Sequence, residues 1–214
     1  GSVSIVALNQ NRVITAGDDG SVRVWNAETG NILQYLENDG QRITALARSG
    51  DGRFLVWGDA NGRIEVRHCD DAFTPVTTFN VEGSVSVLAV SDDGRALVSG
   101  LHNQTRNTVE LQLLRLADGG NAPPVTLDSV PLSRIGRVVF NSKHGRVVAA
   151  VLPQSETGEI WQIQSWQMDS GERRVVASVA SPDGPGLDLT EDGLAVVVAG
   201  RIVRDGTTSD ESSV

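Results

Sequence analysis

The run Arg67-His68-Cys69-Asp70-Asp71 sets an imidazole, a thiol and two carboxylates side by side, the groups that ligate transition metals or carry nucleophilic catalysis. Adjacent strand residues point to opposite faces, so these groups cannot converge on one ion without a turn. No second Cys/His cluster completes a tetrahedral set, and Cys69, the single cysteine, has only its neighbour His68 as an orienting base. The sequence predicts no metal, no cofactor and no catalytic residue. The paired acids Asp18-Asp19, Asp70-Asp71 and Asp92-Asp93 fall in turns, without the alternating ligands and closing glutamate of a calcium loop. No Gly-x-Ser-x-Gly elbow or phosphate-binding glycine loop is present.

Arginine offers another chemistry. Arg12, Arg53, Arg95 and Arg146 each open an apolar run after a polar turn. A ring of guanidinium groups would bind anions along one face; solvated turn residues pairing with nearby aspartates is the stronger reading.

Those turns reveal the elements that position everything else. "NQNR", "SGDGR", "SDDGR", "SKHGR" and "TEDGL" end at residues 12, 53, 95, 146 and 194, in steps of 41, 42, 51 and 48. A period of this size marks a repeat architecture. Asp-Gly between two strand-like runs is a hairpin signal, since glycine accepts the positive φ of a tight turn. Repeat one reads as four strands, Val3 to Leu8, Arg12 to Gly17, Ser21 to Asn26 and Asn31 to Leu36, with no helix between them. The later repeats follow with decreasing fidelity. The fifth is incomplete: Leu187 to Leu189, Leu194 to Gly200, and Arg201 to Arg204 as a third strand.

The stretch "ITAGDDGSVRVWN", Ile14 to Asn26, resembles the WD40 family of β-propellers, whose repeat ends its third strand on Trp-Asp; Trp25-Asn26 stands there in this chain. The spacing Trp-x4-Gly occurs at Trp25 to Gly30 and again at Trp166 to Gly171. The resemblance implies an all-β propeller with four complete four-stranded blades and a partial fifth, at approximately 1–36, 37–80, 81–127, 128–179 and 180–206, followed by a flexible polar tail, 207–214. It also implies a hydrogen-bonded network of a strand-two hydroxyl, a turn aspartate, the indole and a histidine. Thr15, Asp18 and Trp25 match three of these four positions, and Trp166 takes the indole position of repeat four. His68, His102 and His144 all lie elsewhere. In repeat two the indole and hydroxyl positions are Arg67 and Trp57; in repeat three the indole position is roughly Gln112.

"GSVSIVAL" at Gly1 and "GSVSVLAV" at Gly83 share their first four residues at the same repeat position. The expectation is a portion of a larger propeller whose ring is closed by further blades, from sequence beyond this chain or from another chain.

Net charge is −9, which repels a phosphate backbone, and no apolar run approaches the roughly 20 residues of a membrane span; neither nucleic acid nor a membrane is expected as partner. One cysteine points to a reducing cytoplasm. Seventeen of the 18 basic residues are arginine, as GC-rich bacterial genomes tend to encode.

By the resemblance, the connections after strands two and four share one face of the ring. On it, Leu101 to Asn107 and Leu152 to Gly158 are expanded, predicting an asymmetric lip with Trp57, His102, Arg106 and Trp161 as partner contacts. The two tryptophans equally suit interblade packing. The function expected is a noncatalytic scaffold for protein or peptide partners, a regulatory or sensor module; the alternative is an enzyme or small-molecule site in the central funnel.

Overall fold

The turns at 49–53 and 91–95 are locked by their own side chains. Ser49 Oγ donates to Asp51 Oδ1 (2.6 Å) and accepts the Phe54 N–H (3.0 Å), while Asp51 Oδ1 accepts the Arg53 N–H (2.9 Å). Ser91 and Asp93 repeat the arrangement with Arg95 and Ala96. Gly52, Gly94 and Gly145 sit at φ of +74°, +67° and +57°, which no residue with a Cβ adopts cheaply.

The computed structural model describes residues 3–9, 11–37, 39–116, 120, 122–131, 134–153, 160–182, 184–189, 196–199, 201–204 and 207–208. Its four complete sheets are antiparallel with strands in chain order. Blade one contains β1 (Val3–Asn9), β2 (Arg12–Gly17), β3 (Ser21–Asn26) and β4 (Ile32–Glu37). Blade two contains β5 (Ile43–Arg48), β6 (Phe54–Asp59), β7 (Arg63–His68) and β8 (Pro75–Asn80). Blade three contains β9 (Ser84–Val90), β10 (Ala96–Asn103), β11 (Thr108–Arg115) and β12 (Val125–Pro131). Blade four contains β13 (Arg134–Asn141), β14 (Arg146–Leu152), β15 (Ile160–Gln167) and β16 (Arg173–Ala180). The first strands meet in succession, β1 on β5, β5 on β9, β9 on β13 and β13 on β17 (Gly186–Leu189), which places them innermost around a common axis. This is the propeller arrangement.

The cores lie between blades. Ile14, Val22 and Val24 of blade one close on Leu55, Trp57 and Phe73 of blade two. Val56, Ile64 and Val66 meet Val85, Leu97, Leu101 and Leu114 of blade three. Val98, Leu111 and Leu113 meet Val147, Val151 and Trp166 of blade four, and Trp161, Ile163 and Val179 close on Leu187. Strand alternation therefore gives blades two, three and four two apolar faces each.

The fifth repeat departs from the expected pattern. β17 pairs with β18 (Val196–Ala199), but β19 (Arg201–Arg204) does not return along β18 as a third strand. Only Gly200 separates β18 from β19, too few residues for a hairpin. β19 instead pairs with the outer strand of blade four, Val179 opposite Ile202 and Ala180 opposite Arg201. Thr207–Thr208, expected within a flexible tail, form β20 on β19. The turn at 190–194 and residues 209–214 lie outside the described residues.

Candidate functional site

The connections after strands two and four gather on one face, held by polar pairs between hairpin residues and the interblade connections. Arg42 Nε donates to Asp18 Oδ1 (2.7 Å), Arg63 to Asp39 (2.7 Å), and Asn61 Nδ2 to Gln41 Oε1 (2.8 Å). In blade three Arg106 donates to Glu82 (2.8 Å) and to Glu110 (3.2 Å). Glu82 is an exposed side chain in the connection from blade two, whereas Glu110 is buried. Arg106 thus ties the tip of the β10–β11 hairpin to the connection from blade two.

The expected lip takes a different form. Leu101, His102 and Asn103 continue β10, paired with Glu110, Val109 and Thr108, so only residues 104–107 turn. Asn103 Oδ1 accepts the Arg106 N–H (3.0 Å), and Asn107 stands at φ 53°. The expansion is a longer hairpin, with His102 exposed and Arg106 at its tip. Of the second connection, residues 154–158 lie outside the described residues.

Trp57 and Trp161 are not on that surface. Trp57 is 0% exposed in the blade one–two core, under the Arg67 guanidinium at 5.3 Å. Trp161 is 1% exposed; its Nε1 donates to the Ser181 carbonyl (2.8 Å), and Arg134 lies 5.7 Å over its ring. Both occupy strand positions that alternation turns toward a neighbouring blade, so they pack instead of presenting themselves to a partner. Of the four expected contacts, the structure leaves His102 and Arg106 at the face.

The predicted indole network is formed in part. Trp25 Nε1 donates to Thr15 Oγ1 at 2.8 Å, while Asp18 is engaged by Arg42. Ladder register fixes the equivalents elsewhere. The bonds Ala27 N–H to Asn11, Cys69 N–H to Arg53, Leu116 N–H to Arg95 and Met168 N–H to Gly145 mark one point in each sheet. Counted from there, the hydroxyl position is Thr15, Trp57, Ser99 and Ala149, and the indole position is Trp25, Arg67, Leu114 and Trp166. Repeat three therefore presents Leu114, not the expected Gln112. Ser99 Oγ and Trp166 Nε1 are both buried with no hydrogen-bond partner among the described residues. Each blade has kept half of the pair.

The same register separates the four arginines. Arg53 and Arg95 are equivalent, but Arg12 and Arg146 lie one residue further on, level with Phe54 and Ala96, so no uniform guanidinium ring forms. Arg12 pairs with Asp71 (2.6 Å), Arg53 with Asp51 (2.6 Å), Arg95 approaches Asp93 (3.7 Å), and Arg146 donates to Gln167 (2.9 Å).

On the opposite face, Asp51, Gly52, Arg53, His68, Cys69 and Asp70 line an open groove of about 460 Å³. His68 stacks on Phe54 (centroids 5.0 Å apart), and burial pushes the Cys69 thiol above its ordinary 9.0, away from the nucleophilic thiolate. Among the described residues no three His, Cys, Asp or Glu side chains are grouped to hold a metal.

Sequence reading missed the buried acids. Glu65 accepts from Arg63 (2.6 Å) and twice from Arg67 (2.9 and 2.7 Å), facing blade one. The signal was the alternation Arg63-x-Glu65-x-Arg67, which puts all three on one face of a strand.

The family described as "WD domain, G-beta repeat" matches residues 2–26. A guanine nucleotide-binding protein subunit beta of Solanum tuberosum is 34% identical over 102 residues, 42% of this chain and 26% of that protein. Topless-related protein 4 of Arabidopsis thaliana is 23% identical over 93% of this chain and 17% of its own length. WD repeat-containing protein SL1-17 of Schistosoma mansoni is 27% identical over 67% of this chain and 52% of its own. The chain thus spans about half the length of these relatives or less. Among solved structures, the chain titled Kuenenia stuttgartiensis Hydrazine Synthase superimposes with a TM-score of 0.65 at 16% identity, covering 94% of this chain and 56% of that one; at that identity the likeness is one of fold.

Proposed function

We propose that this chain, a WD40-repeat β-propeller, is a noncatalytic platform that binds a protein or peptide partner on the face carrying the β10–β11 hairpin. In this reading it is a regulatory or sensor module of a larger bacterial protein, working in the cytoplasm. The observation that carries it is the tether of Arg106, which ties the tip of a protruding hairpin to Glu82 in the connection from blade two and braces it on Glu110 of its own β11. A surface fixed before binding loses little conformational entropy when a partner arrives, and side chains on a rigid scaffold are where recognition concentrates. Net charge of −9 disfavours nucleic acid and anionic membrane surfaces. The named relatives are WD-repeat and G-protein β proteins, which supports an interaction role.

The test is site-specific photo-crosslinking in the cell of origin, with the crosslinker at His102 or, on the opposite face, at His68. A discrete protein adduct is expected from position 102 only, and Arg106→Ala should reduce it while the thermal transition persists. Equal adducts from both positions, or none from 102, would remove the platform reading.

A further inference from the structure

We infer that the face carrying the β10–β11 hairpin takes a basic segment of its partner, docking lysine or arginine side chains on outward-facing carboxylates; this rests on the platform reading and names the chemistry of what that platform holds. In blades one to three the face is made by the connections at 18–20, 39–42, 60–62, 81–83 and 104–107. None of the large apolar side chains that the described residues expose lies in them. An interface here has no aliphatic or aromatic anchor of its own, so charge and hydrogen bonding select what binds.

The sign of that charge follows from which member of each ion pair stands in water. Asp18, Asp19, Asp39 and Glu82 are exposed, against Arg42 and Arg106; Arg23 and Arg63, which answer Asp19 and Asp39, are half-buried. Side-chain exposure is 81% for Asp39 but 32% for Arg63, and 75% for Glu82 but 59% for Arg106; of the four pairs only Asp18 and Arg42 reverse the order. Arg106 is also shared, donating to the buried Glu110 as well as to Glu82, so one guanidinium answers two carboxylates at the hairpin tip. Arg63 engages one oxygen of Asp39 and Arg106 one oxygen of Glu82. A carboxylate accepts through two, and among the described residues the second oxygen of each takes no hydrogen bond.

A segment rich in lysine or arginine meets this surface on two scales. At long range the net charge of −9 draws it in, and a field of one sign raises the rate of encounter. At contact its N–H groups reach the open carboxylate oxygens, and an ionised donor on an ionised acceptor makes the stronger class of hydrogen bond. An acidic segment would meet like charge at Asp39 and Glu82, which suppresses the wrong partner.

Nuclear magnetic resonance titration of the isotope-labelled chain with two synthetic peptides, one of repeated Lys-Ser and one of repeated Glu-Ser, tests this. The lysine peptide should shift amide signals at 39–42, 60–62, 82 and 104–107 and leave those of the opposite face, 51–53 and 68–70, in place. Added salt should weaken it, and the glutamate peptide should shift neither face. Asp39→Asn and Glu82→Gln should each weaken binding about threefold, the scale of one exposed ion pair. Glu82→Lys should pass the preference to the glutamate peptide, a reversal that a merely loosened hairpin would not give. No binding of the lysine peptide, equal binding of both, shifts centred on the opposite face, or indifference to all three substitutions would overturn the inference. The crosslink from position 102 reports separately on the platform: an adduct there beside any of those results retires the basic segment alone, and no adduct removes the platform reading whichever peptide binds.

Discussion

Trp25 and Trp166 occupy the same register position in blades one and four, yet only Trp25 finds an acceptor. Trp25 Nε1 reaches Thr15 Oγ1 at 2.8 Å, whereas the position of Thr15 in blade four is Ala149, and the buried Trp166 N–H has no partner among the described residues. A buried donor left without an acceptor costs stability, and a net intramolecular hydrogen bond contributes about 1 kcal/mol. Thr15→Ala should therefore lower unfolding free energy by about 1 kcal/mol. Ala149→Ser, adding one oxygen where blade one has its hydroxyl, should raise it by up to about 1 kcal/mol. Denaturant titration of both variants checks the pair; stability unchanged in both would mean that the indole bond is energetically silent.

Trp161 belongs to packing. Trp161→Ala should cost about 3–5 kcal/mol, the scale for emptying an aromatic site in a core. Gly136 offers a finer measurement, because a Cβ added there would lie 2.8 Å from Trp161 Cζ3. Gly136→Ala should destabilise by about 1–3 kcal/mol through overpacking. A thermal transition unmoved by either change would take Trp161 out of the core.

Glu65 is a buried carboxylate held by Arg63 and Arg67. Removing one member of such a cluster strands the others, so Glu65→Ala should cost about 3 kcal/mol. A double-mutant cycle with Arg67→Ala should show strong coupling. Additive effects would mean that the two residues act independently.

Acid stability should reflect the turns. Hydrogen bonds from the Ser21 hydroxyl, then from Arg23 and the Ser21 N–H, hold the Asp19 carboxyl far below its ordinary 3.8. The Thr74 hydroxyl and N–H lower Asp70 in the same way. A carboxyl with a depressed folded pKa contributes stability above its unfolded pKa and loses it as pH falls toward the folded one. Unfolding midpoints should thus hold from neutrality to about pH 4 and fall below it, with a shallower fall in Asp19→Asn/Asp70→Asn. Identical acid limbs in variant and wild type would assign the loss to other carboxylates.

How much of this was legible in the sequence follows from the range of each signal. Asp-Gly turns and two-residue alternation are local, so the four-stranded repeat could be read from spacing, and the Thr15–Trp25 pair from the WD40 motif of repeat one. Register is not local. It sets Arg12 and Arg146 level with Phe54 and Ala96, although the arginine-ended turns look alike in the linear pattern. It also disguised Leu114 as the counterpart of Trp25. Whether Trp57 and Trp161 face a partner or a neighbouring blade depends on what stands across the gap, which only assembled sheets reveal. The loop face was found from connection lengths, but its ties, Arg106 to Glu82 and Arg63 to Asp39, join a hairpin to the connection that enters its blade, 24 residues away, and have no mark in the linear pattern.

The run from Val196 to Arg204 serves two sheets, following β17 over its first half and β16 over its second. In an array where each repeat touches only its neighbours, units can open one at a time. Here a single length of backbone is stitched across the boundary between repeats four and five, so detaching the fifth also uncovers the rim of the fourth. Hydrogen exchange should find those two repeats opening together, as a cooperative block larger than the period of the sequence.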